Sequence, residues 1–183
     1  IGWLRHAEIK HGRVAMAAFV GFIVGENGIH FPWDLANGVS YESLSQLGAP
    51  AQFDAIPTAG KLQFLAFIGA LEYAGEAGKP HYMSGGRPGE FPSLKSSDAV
   101  PHFVPLDLFD PLGFSKKRTA EQKANGLVAE INNGRLAMIG IMAFLSEARV
   151  PGSVPALSGL VKPYSGEVMA FFSASDTSLP YVQ

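Results

Sequence analysis

Two short stretches of the chain bring together side chains that can hold a metal. Glu8 is followed three residues later by His11, and Glu130 three residues later by Asn133. Residues three apart are neighbours on a helix. Each stretch therefore offers two donors from one turn, a carboxylate with an imidazole or a carboxylate with an amide. A metal cage would converge several such donors on one ion. A magnesium porphyrin instead takes one axial donor per macrocycle, a hard oxygen or an imidazole. Each stretch also carries one arginine, Arg13 or Arg135, five residues after its glutamate. Two further donors, Gln63 and Glu72, interrupt an otherwise apolar run between Leu62 and Glu72.

The elements that position these groups are two copies of one helix. Glu8-Ile-Lys-His-Gly-Arg-Val-Ala-Met-Ala17 returns as Glu130-Ile-Asn-Asn-Gly-Arg-Leu-Ala-Met-Ile139, with six of ten positions identical. A repeat of this kind sets the frame for the whole chain. Two distant copies are not a solenoid; they predict one helix duplicated within a domain. At roughly 100° per residue, each glutamate lies about 140° around the helix from its own arginine. Useful pairs within a helix are three or four apart, so neither glutamate reaches the arginine of its own copy. Crossed as a symmetric pair, the copies let Glu8 meet Arg135 and Glu130 meet Arg13. Gly12, Ala15, Gly134 and Ala137 allow the close backbone approach by which helices associate in lipid. An anionic ligand inside a membrane is costly unless a cation neutralises it, and the reciprocal arginines supply that cation.

Composition agrees with a membrane setting. Of the 183 residues, 47% are hydrophobic and 16% charged, where a soluble domain has about 25% charged. A net charge of −2 gives no basic footprint for nucleic acid. Cysteine is absent, which excludes disulfides, thiolate nucleophiles and zinc–thiolate sites. No uninterrupted run of about 18 apolar residues exists, so a strict hydropathy rule misses the membrane. Helices wrapped in pigment and paired with each other can still carry Glu, His and Arg at bilayer depth. The sequence begins at Ile1, and a targeting region is expected to have been removed.

Along the chain, the first helix is predicted at about 3–24, the second at about 58–77 between Pro57 and Pro80, and the third at about 119–149. A capping box, Thr119-x-x-Gln122, opens the third helix and Pro151-Gly152 closes it. The first spans roughly 33 Å and the third roughly 46 Å, each enough to cross a hydrocarbon core. Ala17, Gly21 and Gly25 form a small-residue row suited to a packing face. Residues 26–57, punctuated by Gly28, Pro32, Gly38 and Pro50, read as loop, as do residues 78–114. Trp33 and Tyr41 suit a membrane interface. His30, His81 and His102 read as loop residues, and the tail after Pro163 as peripheral. Gly85-Gly86-Arg87-Pro88-Gly89 is no phosphate loop, lacking the Lys-Ser/Thr ending and a following helix.

EIKHGRVAMAA and EINNGRLAMIG closely resemble the first and third membrane helices of the chlorophyll-binding light-harvesting antenna family. The loop motifs GIHFPW, PHYMSGGRPGEFP, FDPLGFSKK, PGSVPAL and PYSGEVMAFF make the chain most similar to the intrinsic peridinin–chlorophyll a/c proteins of dinoflagellates, with the fucoxanthin–chlorophyll a/c proteins second. The resemblance implies an all-α membrane protein of three transmembrane helices over 1–183, the first and third crossed as a pseudo-two-fold pair, the second alongside, with long loops. It implies that Glu8, His11, Gln63, Glu72, Glu130, Asn133 and Glu147 are magnesium ligands, Gln63 and Glu72 by match to sites on the second helix and Glu147 by match to a late Gln or His. No other metal and no catalytic residue is implied. The implied cofactors are chlorophyll a, chlorophyll c, peridinin or fucoxanthin, and a diadinoxanthin-type xanthophyll, with two elongated carotenoids beside the crossed pair. The implied partners are a photosystem I or II core, neighbouring antenna subunits and lipids of the plastid thylakoid membrane, with no nucleic acid and no soluble substrate. A photoprotective relative would share this fold. A small membrane transporter built on matched helices would differ from both in being colourless, and a soluble Glu/His metalloenzyme is not favoured by the apolar runs.

Overall fold

The computed structural model describes residues 1–36, 38–77, 80–90, 110, 113–168, 170–173 and 176. His102 and most of the long loop between the second and third predicted helices lie outside them. The described chain is mostly helical. Its three long helices are α1 (Gly2–Glu26), α4 (Thr58–Ala77) and α5 (Ala120–Arg149), of about 37, 30 and 45 Å at 1.5 Å per residue. Among the described residues no helix is long and apolar enough to cross a membrane by hydropathy alone. The charges spaced along α1 and α5 are the reason.

The stretch expected as loop between the first two long helices is instead structured. It holds a small antiparallel ribbon, β1 (Asp34–Ala36) with β2 (Val39–Ser40), then two short helices, α2 (Tyr41–Ser45) and α3 (Ala49–Asp54). The local signals were misassigned rather than missing. Gly28, with φ of 66°, does not open a loop; it ends α1. Its N–H bonds to the Gly25 carbonyl and that of Ile29 to the Val24 carbonyl, both at 3.1 Å, which is the paired C-terminal cap that glycine permits. Pro50 sits in the first turn of α3, where its missing N–H has no intrahelical partner to lose. Ser40 caps α2, its hydroxyl accepting from the Ser43 N–H. At α5 both halves of the capping box form: Gln122 N–H to Thr119 Oγ1 at 3.2 Å, and Thr119 N–H to Gln122 Oε1 at 3.0 Å. The 3-10 turn before it, Phe114–Lys117, is held by Asp110, which accepts from the N–H groups of Phe114 and Ser115 at 2.7 and 2.6 Å. Desolvation pushes the Asp110 carboxyl up, but the bonds from Ser115 and Phe114 outweigh it and hold it below the usual carboxylate range.

The chain divides into two compact units. The first comprises Ile1–Val14 and Phe64–Arg135, the second Ala15–Gln63 and Leu136–Gln183. Within the first, α1 and α5 meet backbone to backbone. A Cβ built on Gly12 would lie 3.0 Å from the Gly134 Cα, and one on Gly134 2.9 Å from the Gly12 Cα. Within the second, Phe144 stacks on Phe22 and Phe19 at 4.9 and 5.0 Å, and Gly140 gives Phe19 its space. Ala15, Ala137 and Ala148 are buried here.

The tail after Pro163 is not peripheral. Tyr164 donates its N–H to the Ala148 carbonyl at 2.7 Å and its hydroxyl to Asp54. Burial and the Asp54 carboxylate push the Tyr164 phenol up to about 12. Farther on, Asp176 pairs with Lys61, the largest fully buried side chain among the described residues. It also accepts from the Thr58 hydroxyl at 2.6 Å and the Ser173 N–H at 2.9 Å. A buried ammonium stays charged only if so paired. The sequence showed no such role because the partners stand 115 positions apart.

Two predictions arise from these contacts. Gly12→Ala or Gly134→Ala must push the helix backbones apart, so each should lower stability by about 1–3 kcal/mol. Gly75→Ala, with open space around it, should be neutral or raise stability by up to about 1 kcal/mol. Thermal loss of helical circular dichroism measures all three. The second concerns acid. The hydrogen bond from Lys61, then that from Thr58, holds the Asp176 carboxyl well below its usual range. A carboxyl depressed in the folded state stabilises fully above its unfolded value, about pH 4, and the contribution is lost as pH falls toward the folded value. The melting temperature of the natural chain should therefore drop more steeply below about pH 4 than that of Asp176→Asn. The variant should start from a lower melting temperature at neutral pH.

Candidate functional site

The first unit collects most of the expected donors around one turn of α1. Arg13 Nε lies 2.6 Å from Glu130 Oε1 on α5. In return Arg135 Nη2 and Nε lie 2.6 and 2.7 Å from Glu8 Oε1. The Gly12–Gly134 contact between the two pairs lets both arginines reach across. The pairs differ in one respect. Glu8 Oε2 also accepts from Arg5 Nη1 at 2.7 Å, whereas the position matching Arg5 in the second copy is Leu127, which is exposed. Glu130 thus keeps Oε2 open among the described residues, while both Glu8 oxygens are engaged.

Histidines sort by which nitrogen keeps a lone pair. His11 Nδ1 stands 2.8 Å from the Ala7 carbonyl. A carbonyl only accepts, so Nδ1 carries the proton and the exposed Nε2 is left as a free donor to a metal. His30 has an acceptor at each nitrogen, the Phe31 carbonyl and Glu42, both at 3.0 Å. His81, expected as a loop residue, has its Nε2 facing Glu76 at 2.8 Å while Nδ1 accepts from the Met83 N–H. His6 stacks on Tyr82 with ring centroids 3.9 Å apart. Its Nδ1 accepts from the Gly89 N–H at 3.1 Å, which leaves the proton on Nε2. Among the described histidines, only His11 presents an accessible lone pair.

The remaining expected donors divide clearly. Asn133 and Gln63 are exposed and have no side-chain hydrogen-bond partner among the described residues. Glu72 on α4 pairs through Oε2 with Lys10 on α1, and its Oε1 is open. Lys10 was not foreseen. The available signal was that copy two has Asn132 at the matching position, so this lysine has no task inside the repeat. Glu147, also expected as a ligand, has both oxygens engaged. Its Oε1 accepts from the Gly152 N–H and its Oε2 from the Val154 N–H, both at 2.8 Å, and the residue is only 3% exposed. It caps the turn after α5. Among the described residues no three His, Asp or Glu side chains are grouped as a metal cage.

In the second unit a cavity of about 300 Å³ lies beside the end of α1, lined by Gly21, Gly25, Ile29, Phe31, Tyr41 and Leu44. The small-residue row expected as a packing face is divided there. Gly25 packs against Ala49 and Gln52, while a Cβ on Gly21 would meet nothing.

A duplicated helix whose copies exchange arginines across a glycine contact, with carboxylate, imidazole and amide groups beside it, is the arrangement the structure shows. The chain belongs to the chlorophyll A-B binding protein family, which it matches over residues 1–149. It is 38% identical over 160 residues to a chloroplastic fucoxanthin-chlorophyll a-c binding protein of Trieres chinensis, covering 83% of this chain and 68% of that one. It is likewise 38% identical over 143 residues to the F protein of that name in Phaeodactylum tricornutum, covering 78% and 62%. With the A protein of Macrocystis pyrifera it shares 33% over 143 residues, covering 78% and 57%. The chain thus spans about two thirds or less of the length of these relatives. They are named for fucoxanthin, the second of the two subgroups the motifs suggested, and not for peridinin.

The asymmetry between the two copies is testable. Arg13→Leu leaves the Glu130 carboxylate without its cation and should lower stability by about 1–3 kcal/mol, with loss of chlorophyll on reconstitution. Arg5→Leu recreates the second copy's residue and should keep both the chlorophyll number and the melting temperature of the natural chain.

Proposed function

We propose that the chain is a light-harvesting antenna of the plastid thylakoid membrane, holding chlorophyll a, chlorophyll c and a carotenoid of the fucoxanthin class. One observation carries this reading: carboxylates neutralised across helices stand on helices whose apolar sides are uncovered. Every residue of α4 from Leu62 to Ala70 is exposed, Phe64 and Phe67 by more than half. On the duplicated helices Val14 and its counterpart Leu136 are both 69% exposed. Such surface in contiguous runs calls for an apolar partner, and lipid and pigment supply it. α1, α4 and α5 are the three spans, α1 and α5 forming the pseudo-two-fold pair. Charges that defeat a hydropathy rule are tolerated in them because they are paired.

The donor set fits the pigment. His11 Nε2, Glu130 Oε2 and Glu72 Oε1 each offer one uncrowded lone pair, and Asn133 and Gln63 offer amide oxygens. Glu8 offers a lone pair of its arginine-bound carboxylate. Chlorophyll supplies light absorption and resonance transfer of excitation. The chain's part is to fix each donor in place, to neutralise the anionic ones and to exclude water. The cavity beside Gly21 supports a seat for the ring end of a carotenoid. Chloroplast location and chlorophyll a-c binding in the relatives support the same assignment here, with a photosystem core and neighbouring antenna subunits as acceptors of the energy.

Extraction and chromatography of the purified protein should yield chlorophyll a, chlorophyll c and fucoxanthin. Peridinin in its place would return the chain to the dinoflagellate subgroup, and a colourless preparation would overturn the reading. Excited-state lifetime of the isolated protein distinguishes harvesting, with a long lifetime, from a quenching relative.

A further inference from the structure

We propose that Lys10 is the counter-cation of Glu72 and that its charge is what lets Glu72 hold a chlorophyll on α4; this rests on the ligand reading of Glu72 given above. α4 cannot neutralise Glu72 from its own sequence. Its one basic residue is Lys61, eleven positions earlier, and Lys61 is buried against Asp176. The cation must come from another element, and Lys10 on α1 makes the contact, through Glu72 Oε2. Its second acidic neighbour, Glu76 Oε1, is farther away at 3.7 Å. Glu76 has a partner of its own, His81 Nε2 at 2.8 Å from its other oxygen. Lys10 is therefore committed to Glu72.

The arrangement repeats that of Glu130. There too one carboxylate oxygen faces a cation from α1, Arg13, and the other has no partner among the described residues. The Glu72 side chain is 54% exposed, so its open oxygen is accessible to a macrocycle. Lys10 also explains a departure from the repeat. The second copy has Asn132 at that position, exposed and uncharged, whereas the first must serve α4 as well as α5. Three residues of one α1 turn then have separate tasks. Lys10 neutralises the α4 ligand, His11 presents its own nitrogen, and Arg13 neutralises the α5 ligand.

Lys10 is a positioning residue, and its charge can be separated from its bulk. The full chain is reconstituted with chlorophylls and carotenoid as Glu72→Ala, Lys10→Met, Lys10→Arg and the double variant Lys10→Met/Glu72→Gln. Chlorophyll per chain and the difference absorption spectrum are measured for each. Glu72→Ala should lose one chlorophyll, and Lys10→Met should lose the same one, with the same difference band. Lys10→Arg should retain it. The double variant should regain it, because a neutral amide ligand needs no cation. If Lys10→Met keeps the chlorophyll that Glu72→Ala loses, the proposal is overturned. A loss in Lys10→Met that Glu72→Gln does not restore, including loss of all pigment in both, overturns it too, since Lys10 would then be structural only. If Glu72→Ala keeps its full complement, the ligand reading of Glu72 fails first and the role of Lys10 with it.

Discussion

The exchange of arginines between α1 and α5 is the constraint on which the first unit depends. A carboxylate placed at bilayer depth must be neutralised or it will protonate or leave. The five-residue spacing keeps each glutamate from the arginine of its own copy, so Glu130 depends on Arg13 of α1, while Glu8 has Arg135 of α5 beside Arg5 of its own helix. Gly12 and Gly134 are the consequence. Arg13 and Arg135 reach across because no side chain separates the backbones at the crossing, where a Cβ would lie about 3 Å from the opposite Cα. The charges specify the partner and the register, and the glycines make the distance short enough for the specification to work. Either device alone would leave a charged residue stranded or a crossing without register.

The acidic residues have two occupations. Glu147, Asp110 and Glu26 cap backbone: Glu26 accepts from the Ala49 N–H at 2.8 Å, as Asp110 does from Phe114 and Ser115. These carboxylates are taken up by fixed N–H donors. Glu72 and Glu130 instead face a cation through one oxygen, and the other has no partner among the described residues. Sorting by free lone pair, rather than by residue type, separates the fully engaged carboxylates from those with an unpartnered oxygen among the described residues, and it does the same for the histidines. His11 differs from His30 and His81 because only its Nδ1 is engaged, by the Ala7 carbonyl one turn earlier, whereas both nitrogens of the other two have partners.

Much of this was legible in the sequence, for a definite reason. The repeat carries its own register, so the identities of Glu8, Arg13, Glu130 and Arg135, together with helical geometry, were enough to pair them across 117 and 127 positions. Nothing comparable marks Lys61 and Asp176, or Lys10 and Glu72, which belong to no repeat and have no local pattern. The capping role of Glu147 was not legible because its partners, the N–H groups of Gly152 and Val154, are backbone and carry no residue signature. Gly28 and Pro50 were misread because both residues end or begin helices as readily as they make loops. The choice depends on hydrogen bonds that composition does not record.

α4 shows why the electrostatic contacts and the bare apolar surface belong to one design. Its first turn is held by a buried ammonium, Lys61, and its last turns by Glu72 and Glu76 facing Lys10. Between them, from Leu62 to Ala70, the helix lies exposed. A helix packed along its length by protein would need no charged tether, because burial of about 25 cal/mol for each Å² of apolar surface would hold it. A helix with its middle uncovered cannot use that source of stability from its own chain. It must be located by a few directional contacts at its ends, which leave the middle free. Lysine suits this task because its long apolar stem can run along a helix while the ammonium reaches a carboxylate. The same logic explains why, among the described residues, the largest fully buried side chain is a lysine and not a leucine.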